Sequence, residues 1–338
     1  MCHPSVFDFF RTEVAAADIQ GRSVLEVGSR DVNGTVRPFL MSLGAREYLG
    51  VDLVAGPGVD RTCAVEELAS TLGEGSYDAV VTTEMLEHVR DWRSAISNLK
   101  RVVAPGGILV ITTRSFGFPY HDFPGDYWRY EISDMTALFR DFEILKLVRD
   151  PEYPGVFLKC RKPRQFREGE TSSLKLFSMP GAARADGVGD EEIARYTERM
   201  KAFQGTAVDV ATLLKGFDWT ALEERTFRRL WRELEKLLAL LRGLSRKETE
   251  ASTLERMARP IGRLKRRIFD LALSAGIVRG ESLKRARKSL CASAGRSLWK
   301  TMFHVPWGSV EETSFQNALE SITKIRELVS TGEASRGP

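Results

Sequence analysis

VLEVGSRDVNG, residues 24–34, runs from a nearly continuous apolar stretch into a loop with glycines at 28 and 34. Three more stretches share its character: EYLGVD at 47–52, DAVVTT at 78–83 and GILVITT at 107–113. Each is rich in apolar and β-branched residues and almost unbroken, the pattern of strands buried on both faces. Helical spacing fills the gaps. VRPFLMSLG ends at Gly44, and DWRSAISNLKRVV stops at Ala104-Pro105-Gly106-Gly107, a strong turn signal. Strands and helices alternating through short connections predict a parallel α/β sheet with helices on both faces. FEILKLV (142–148) and GVFLKCR (155–161) read as a closing antiparallel pair.

A chain of 338 residues has room for two domains of ordinary size. Its 43% hydrophobic and 28% charged residues are those of a soluble globular protein. No apolar run approaches the ~20 residues that span a bilayer. MCHPSVFDFFRTEVAAAD is broken by Asp8, Arg11 and Glu13 and does not read as a signal peptide. Cys2, Cys63, Cys160 and Cys291 stand far apart without CxxC spacing, so they read as reduced thiols and the expected address is cytoplasmic.

The net charge of +4 conceals an asymmetry: residues 223–300 hold 21 Lys and Arg against 9 Asp and Glu, an excess of 12, so the remainder carries −8. Periodicity fails after Arg161, and 163–190 reads as a linker or flap between a sheet domain (1–162) and a basic α-helical accessory domain (191–330). In the latter, Phe227, Leu230, Trp231, Leu234, Leu237, Leu238 and Leu241 fall at three- and four-residue steps. Leu254, Met257, Ile261, Leu264, Ile268 and Leu271 make a heptad seam, and Phe315, Leu319, Ile322 and Ile325 repeat the theme. The basic helices permit three readings, taken in this order: a solvated face on an accessory or homodimerising domain, attachment to anionic lipid at the inner face of a membrane, and RNA binding. RNA comes last because no RNA module accompanies the charge.

Open α/β sheets bind ligands beyond the carboxyl ends of their strands, near the switch in strand order. Gly28 lets the backbone approach a ligand, Glu26 sets a carboxylate at the strand end, and Asp52 ends the next strand where ribose hydroxyls would be held. A dinucleotide-dependent oxidoreductase uses the same devices, but GSRDVNG does not supply GxGxxG. EVGSRDVNG, YLGVD, YDAVVTTEMLEHV and LKRVVAPGGILVITT together resemble the class I S-adenosylmethionine-dependent methyltransferases, over about residues 20–160.

That resemblance implies a Rossmann-like seven-stranded sheet whose last strand is antiparallel. It places Glu26 and Gly28 near the methionine part of S-adenosyl-L-methionine, Asp52 on the ribose and Ala64 and Val65 at the adenine. Ser29, Leu53, Thr83 and Glu84 complete the cofactor set. The sequence departs from the family twice. Ser29-Arg30-Asp31 stands where GxGxG is common, and Ala64 stands where an acid often meets the adenine amino group.

In TTEMLEHV, Glu84, Glu87 and His88 at i, i+3 and i+4 share one face if helical, a donor set for Mg²⁺ or Mn²⁺ that would acidify an acceptor hydroxyl. ExxEH is similar to the metal-binding segment of ubiquinone-pathway O-methyltransferases and of small-RNA 3′-terminal 2′-O-methyltransferases. The latter add a histidine pair, and here His121 alone follows. The plainer reading has Glu87 charging a helix N-terminus and His88 packed on the sheet.

RSFGFPYHDFPGDYWRYE (114–131) follows the fifth strand of the family pattern and is dense in aromatics. His121 is the general base by type, with Asp126 as its orienter, and Tyr120, Tyr127, Trp128 and Arg129 are candidate acceptor contacts. In the alternative, the loop is a structural lid with Trp128 as a core anchor and Arg129 paired to Asp126 or Glu131. HDFPGDYWR resembles loops of methyltransferases of glycan and cell-surface biosynthesis. The expected function is methyl transfer to oxygen on a saccharide or other small hydroxyl acceptor. The alternatives are a cation-dependent RNA 2′-O-methyltransferase and a catalytically silent scaffold.

Overall fold

The computed structural model describes residues 3–118, 120, 121, 125–202, 233, 236 and 312–334. The chain divides into two compact units, Met1–Met179 with Ala183–Val188, and Pro180–Ala182 with Gly189–Pro338. The strands of the first unit are β1 (Ser23–Val27), β2 (Glu47–Asp52), β3 (Arg61–Thr62), β4 (Tyr77–Thr83), β5 (Val103–Arg114), β6 (Trp128–Arg129), β7 (Glu143–Arg149), β8 (Gly155–Arg161), β9 (Leu176–Ser178) and β10 (Arg184–Ala185). Its helices are α1 (Pro4–Glu13), α2 (Ala16–Ile19), α3 (Arg37–Ser42), α4 (Leu68–Leu72), α5 (Trp92–Val102) and α6 (Ile132–Leu138).

Seven strands form one sheet in the order β3-β2-β1-β4-β5-β8-β7. β1 to β5 run parallel, and β8 runs antiparallel to both β5 and β7. This is the Rossmann-like class I methyltransferase sheet that the resemblance implied. The order reverses between β1 and β4, so the carboxyl ends of β1, β2, β4 and β5 share the edge where such sheets bind ligands. β1 is buried at every position, as its apolar run demands, whereas β2 and the edge strand β7 are only partly covered. One face is closed by Val6, Phe9, Phe10 and Val14, which pack on Val24, Val81, Val110 and Phe157.

α5 shows how local sequence fixes an element. Asp91 caps it by accepting from the Ser94 amide at 3.1 Å. Trp92, Ala95, Ile96, Leu99 and Val102 form its buried stripe. Lys162 closes the far end, its ammonium donating to the carbonyls of Lys100 and Val103 at 2.8 and 2.7 Å. Ala104-Pro105-Gly106-Gly107, expected as a turn before the strand, lies within β5 as an irregularity: Tyr77 pairs Val103, but Ala79 pairs Ile108. Gly106 takes φ +82°, and a Cβ on Gly107 would stand 2.6 Å from the Asp78 carbonyl oxygen, so both glycines are required.

The stretch read as linker or flap carries β9 and β10, which join β6 in a three-stranded sheet of order β10-β9-β6. Cys63 and Cys160 are buried free thiols. In the second unit, a helix has its described part at 190–202, and another spans Glu312–Ala334. The latter buries Phe315, Ala318, Ile322 and Ile325 along one stripe, with Arg199 bonded to Glu312 at 2.7 Å. The heptad seam at 254–271, the basic stretches, Cys2 and Cys291 lie outside the described residues. No helix among the described residues is long and apolar enough to cross a membrane.

Candidate functional site

Gly28 follows β1 at φ +78°, and a Cβ there would meet Met85 Cγ at 2.7 Å. The glycine is thus needed for the crossing of two strand-end loops as well as for its dihedral. The loop that replaces GxGxG is backed from a distance: a Cβ on Gly58 would lie 2.6 Å from the Ser29 carbonyl oxygen, and the Asp31 amide donates to the Pro57 carbonyl at 2.8 Å. Close packing at this loop is shared between 28–31 and 56–58. Asp52 accepts from the amides of Arg30 (3.2 Å) and Val54 (3.0 Å), one bond per oxygen, which fixes its carboxylate between the two loops. Ser29 is buried with no hydrogen-bond partner for its hydroxyl. Leu53 is exposed beside Asp52, and Ala64 and Val65 enter the short 3-10 turn after β3.

Glu26 is 2% exposed and accepts from the Tyr48 hydroxyl at 2.7 Å and from Thr35. Burial outweighs these bonds and pushes its pKa up to about 7. A carboxyl raised from 4.5 to about 7 contributes stability that is complete below 4.5 and lost as pH rises through 7. By linkage this is about 3 kcal/mol. Glu26→Gln should therefore gain on wild type by roughly that amount between pH 4.5 and pH 8. Urea midpoints measured across that range check it, and parallel curves would refute it.

The end of β4 departs from the helix that the sequence suggested. Glu84 takes φ 54°, rare for a side-chain-bearing residue, and Leu86–His88 form a 3-10 turn, with α5 starting only at Trp92. The kink breaks the i, i+3, i+4 face. Glu84 therefore does not join Glu87 and His88: it pairs with Arg114, which also bonds Asp150 at 3.1 Å. Arg114 is fully buried, and the sequence reading missed it. Only the register of β5 on β8, where Arg114 faces Gly155, reveals the space it fills.

His121 takes the vacated place. Glu87, His88 and His121 each offer a ligand atom, all within 4.8 Å of one another. Glu87 is fully buried, accepts from Thr113 Oγ1 at 2.9 Å, and leaves Oε1 without a hydrogen-bond partner, 3.6 Å from His121 Nε2. His88 Nδ1 lies 2.5 Å from the Gly125 carbonyl oxygen, and its ring meets that of His121 edge-on at 4.6 Å. Burial lowers the His88 pKa.

His121 Nδ1 lies 3.2 Å from Asp126, whose carboxylate also accepts the His121 amide at 3.1 Å. Burial alone would depress the imidazole, but Asp126 and then Glu87 outweigh it, and the His121 pKa is raised. Burial works to raise Asp126 too, yet the Arg129 guanidinium gripping both oxygens holds it well below the usual carboxylate range. The site thus joins a buried carboxylate to an imidazole in the manner of an orienter and a base.

Trp128 and Arg129, expected against the acceptor, are fully buried. Trp128 stacks edge-on with Trp92 and donates to the Arg90 carbonyl, and Arg129 is spent on Asp126 and on the carbonyls of Trp128 and Phe118. They anchor the loop, as in the alternative reading. Tyr120 is buried and Tyr127 half-buried. Phe118, not singled out from sequence, lies between the Arg114 guanidinium (4.2 Å) and the His121 ring (5.0 Å).

A family model described as a methyltransferase domain matches residues 6–149. The match falls on the seven-stranded sheet described above. The domain resembles ubiquinone biosynthesis O-methyltransferases of Chromobacterium violaceum (34% identity over 111 residues, 29% of this chain and 46% of the relative) and Bordetella avium (35% over 112 residues, 29% and 45%). The chain thus spans about half the length of the curated relatives it matches. Among solved structures, an S-adenosylmethionine-dependent methyltransferase from Mesorhizobium loti aligns at 17% identity and TM-score 0.37, over 47% of this chain and 98% of that one.

Proposed function

We propose that this domain binds S-adenosyl-L-methionine across Gly28 and methylates an oxygen of a small hydroxyl acceptor, a saccharide being the finer reading. The observation that carries the proposal is the placing of Asp52 and Gly28 beside the switch point, with the His121–Asp126 pair on the loop after β5. The residues present fit the cofactor. Each Asp52 oxygen retains accepting capacity for a ribose hydroxyl, the buried Ser29 hydroxyl lacks a partner, and Glu26 supplies a carboxyl at the β1 end. When bound, the sulfonium supplies an electrophilic methyl group. His121 would take the acceptor proton, Asp126 would hold the imidazole, and buried walls would exclude water. The names of the ubiquinone-pathway relatives support oxygen as the methylated atom.

In a second reading His121 is a ligand rather than the base: Glu87, His88 and His121 fit a divalent cation, since a buried carboxylate oxygen without a hydrogen-bond partner stands beside two imidazoles. One carboxylate and two imidazoles suit Mn²⁺ better than Mg²⁺, which prefers oxygen and water. Such an ion would lower the pKa of the acceptor hydroxyl. Exhaustive chelation should then abolish transfer and Mn²⁺ should restore it, whereas transfer untouched by chelation removes the ion from the reaction. Residues 191–330, read from the sequence as a basic accessory domain, would handle substrate or association. Mass analysis of products formed from labelled methyl donor in fractionated extract tests the function, and a scaffold would yield none.

A further inference from the structure

We propose that residues 172–178 and 183–188 form a strap that positions the acceptor loop, holding Asp126 and, through it, His121. β6 is two residues long, and its pairing partner is β9 of the strap: Trp128 faces Ser178 and Arg129 faces Phe177. A two-residue strand has no stability of its own. The Met179 amide extends the contact, donating to the Tyr127 carbonyl at 2.7 Å, while the Tyr127 amide donates to the Glu87 carbonyl at 2.9 Å. Phe177 meets Phe116 edge-on at 4.7 Å, so the strap grips both ends of the loop.

The strap is itself tied down by the first turn of α5 and by Arg90 just before its cap. Arg93 donates to the carbonyls of Asp186 (2.5 Å), Leu174 (2.7 Å) and Ser172 (3.5 Å), and Arg90 donates to that of Val188 (2.8 Å). Arg184 binds Asp134 of α6 at 2.7 Å. Guanidinium forks closing on backbone carbonyls hold a chain path without depending on its side chains. Arg129 is one of the pinned residues and Asp126 adjoins them, so their ion pair, and the imidazole hung on it, is set by a segment beyond the 6–149 match. Arg93 is thus a positioning residue.

That the loop serves the acceptor rests on the function proposed above; that the strap orders the loop does not. Hydrogen–deuterium exchange on the full-length chain, with Arg93→Ala and Phe177→Ala, separates the two. Exchange in peptides covering 125–131 should accelerate about tenfold and peptides covering 23–31 should keep their rates. His121 should become a few times faster to carbethoxylate with diethyl pyrocarbonate, and affinity for S-adenosylhomocysteine should stay within about twofold. Unchanged exchange at 125–131 in both variants, or acceleration spread equally to 23–31, would overturn the strap. Wild-type protein that fails to bind S-adenosylhomocysteine would overturn the function, leaving the exchange to judge the strap.

Discussion

Asp52→Ala is expected to weaken binding of S-adenosylhomocysteine by about a hundredfold. A carboxylate accepting from ribose hydroxyls makes charge-assisted bonds, each contributing roughly 1.5–3 kcal/mol. Losing about 3 kcal/mol corresponds to the expected factor. The geometry adds a second loss. Asp52 joins the Arg30 amide of the first loop to the Val54 amide of the second, so its removal also loosens the two walls of the cleft. Asp52→Asn keeps the shape and one good acceptor, and should fall between alanine and wild type. Calorimetric titration with S-adenosylhomocysteine measures all three proteins, with melting curves as the check on folding. An alanine variant within threefold of wild type would mean that the carboxylate does not hold the nucleoside.

What could be read beforehand divides along one line: patterns that burial imposes are legible, and geometry set by register or by an unusual dihedral is not. β1, β2 and β4 could be read because each is an apolar run bounded by turn residues, and Asp52 because an acid ends the strand after the glycine turn. His121 and Asp126 could be paired because they stand five apart in a loop whose residue types suit a base and its orienter. Helical spacing groups Glu84 with Glu87 and His88 only when it is carried one turn too far back, across a residue at positive φ that no local composition announces. The partners of Glu84 and Glu26 were hidden for another reason. Arg114 reaches Glu84, and Tyr48 reaches Glu26, each from a neighbouring strand. The replacement for GxGxG was also out of view, since Gly58 stands thirty residues from the loop it supports.

His121→Ala should cut turnover by at least about a hundredfold, within the range for loss of a general base, while S-adenosylhomocysteine affinity stays within about twofold. Nδ1 faces Asp126, which orients the other ring nitrogen for proton uptake. Because Asp126 and Glu87 raise the His121 pKa above 6.5, a base mechanism predicts turnover that climbs as pH rises through that raised value. Asp126→Asn removes the strongest of the contacts that favour the imidazolium, so the climb should move to lower pH. It should also depress the melting temperature, since Arg129 would be left buried without its anion. A cation mechanism predicts otherwise: His121→Ala would weaken Mn²⁺ binding, and excess Mn²⁺ would restore much of the lost rate. Turnover rescued by metal assigns the imidazole to the ion. Turnover that stays low at saturating Mn²⁺ assigns it to the proton, and turnover that never fell removes it from both roles.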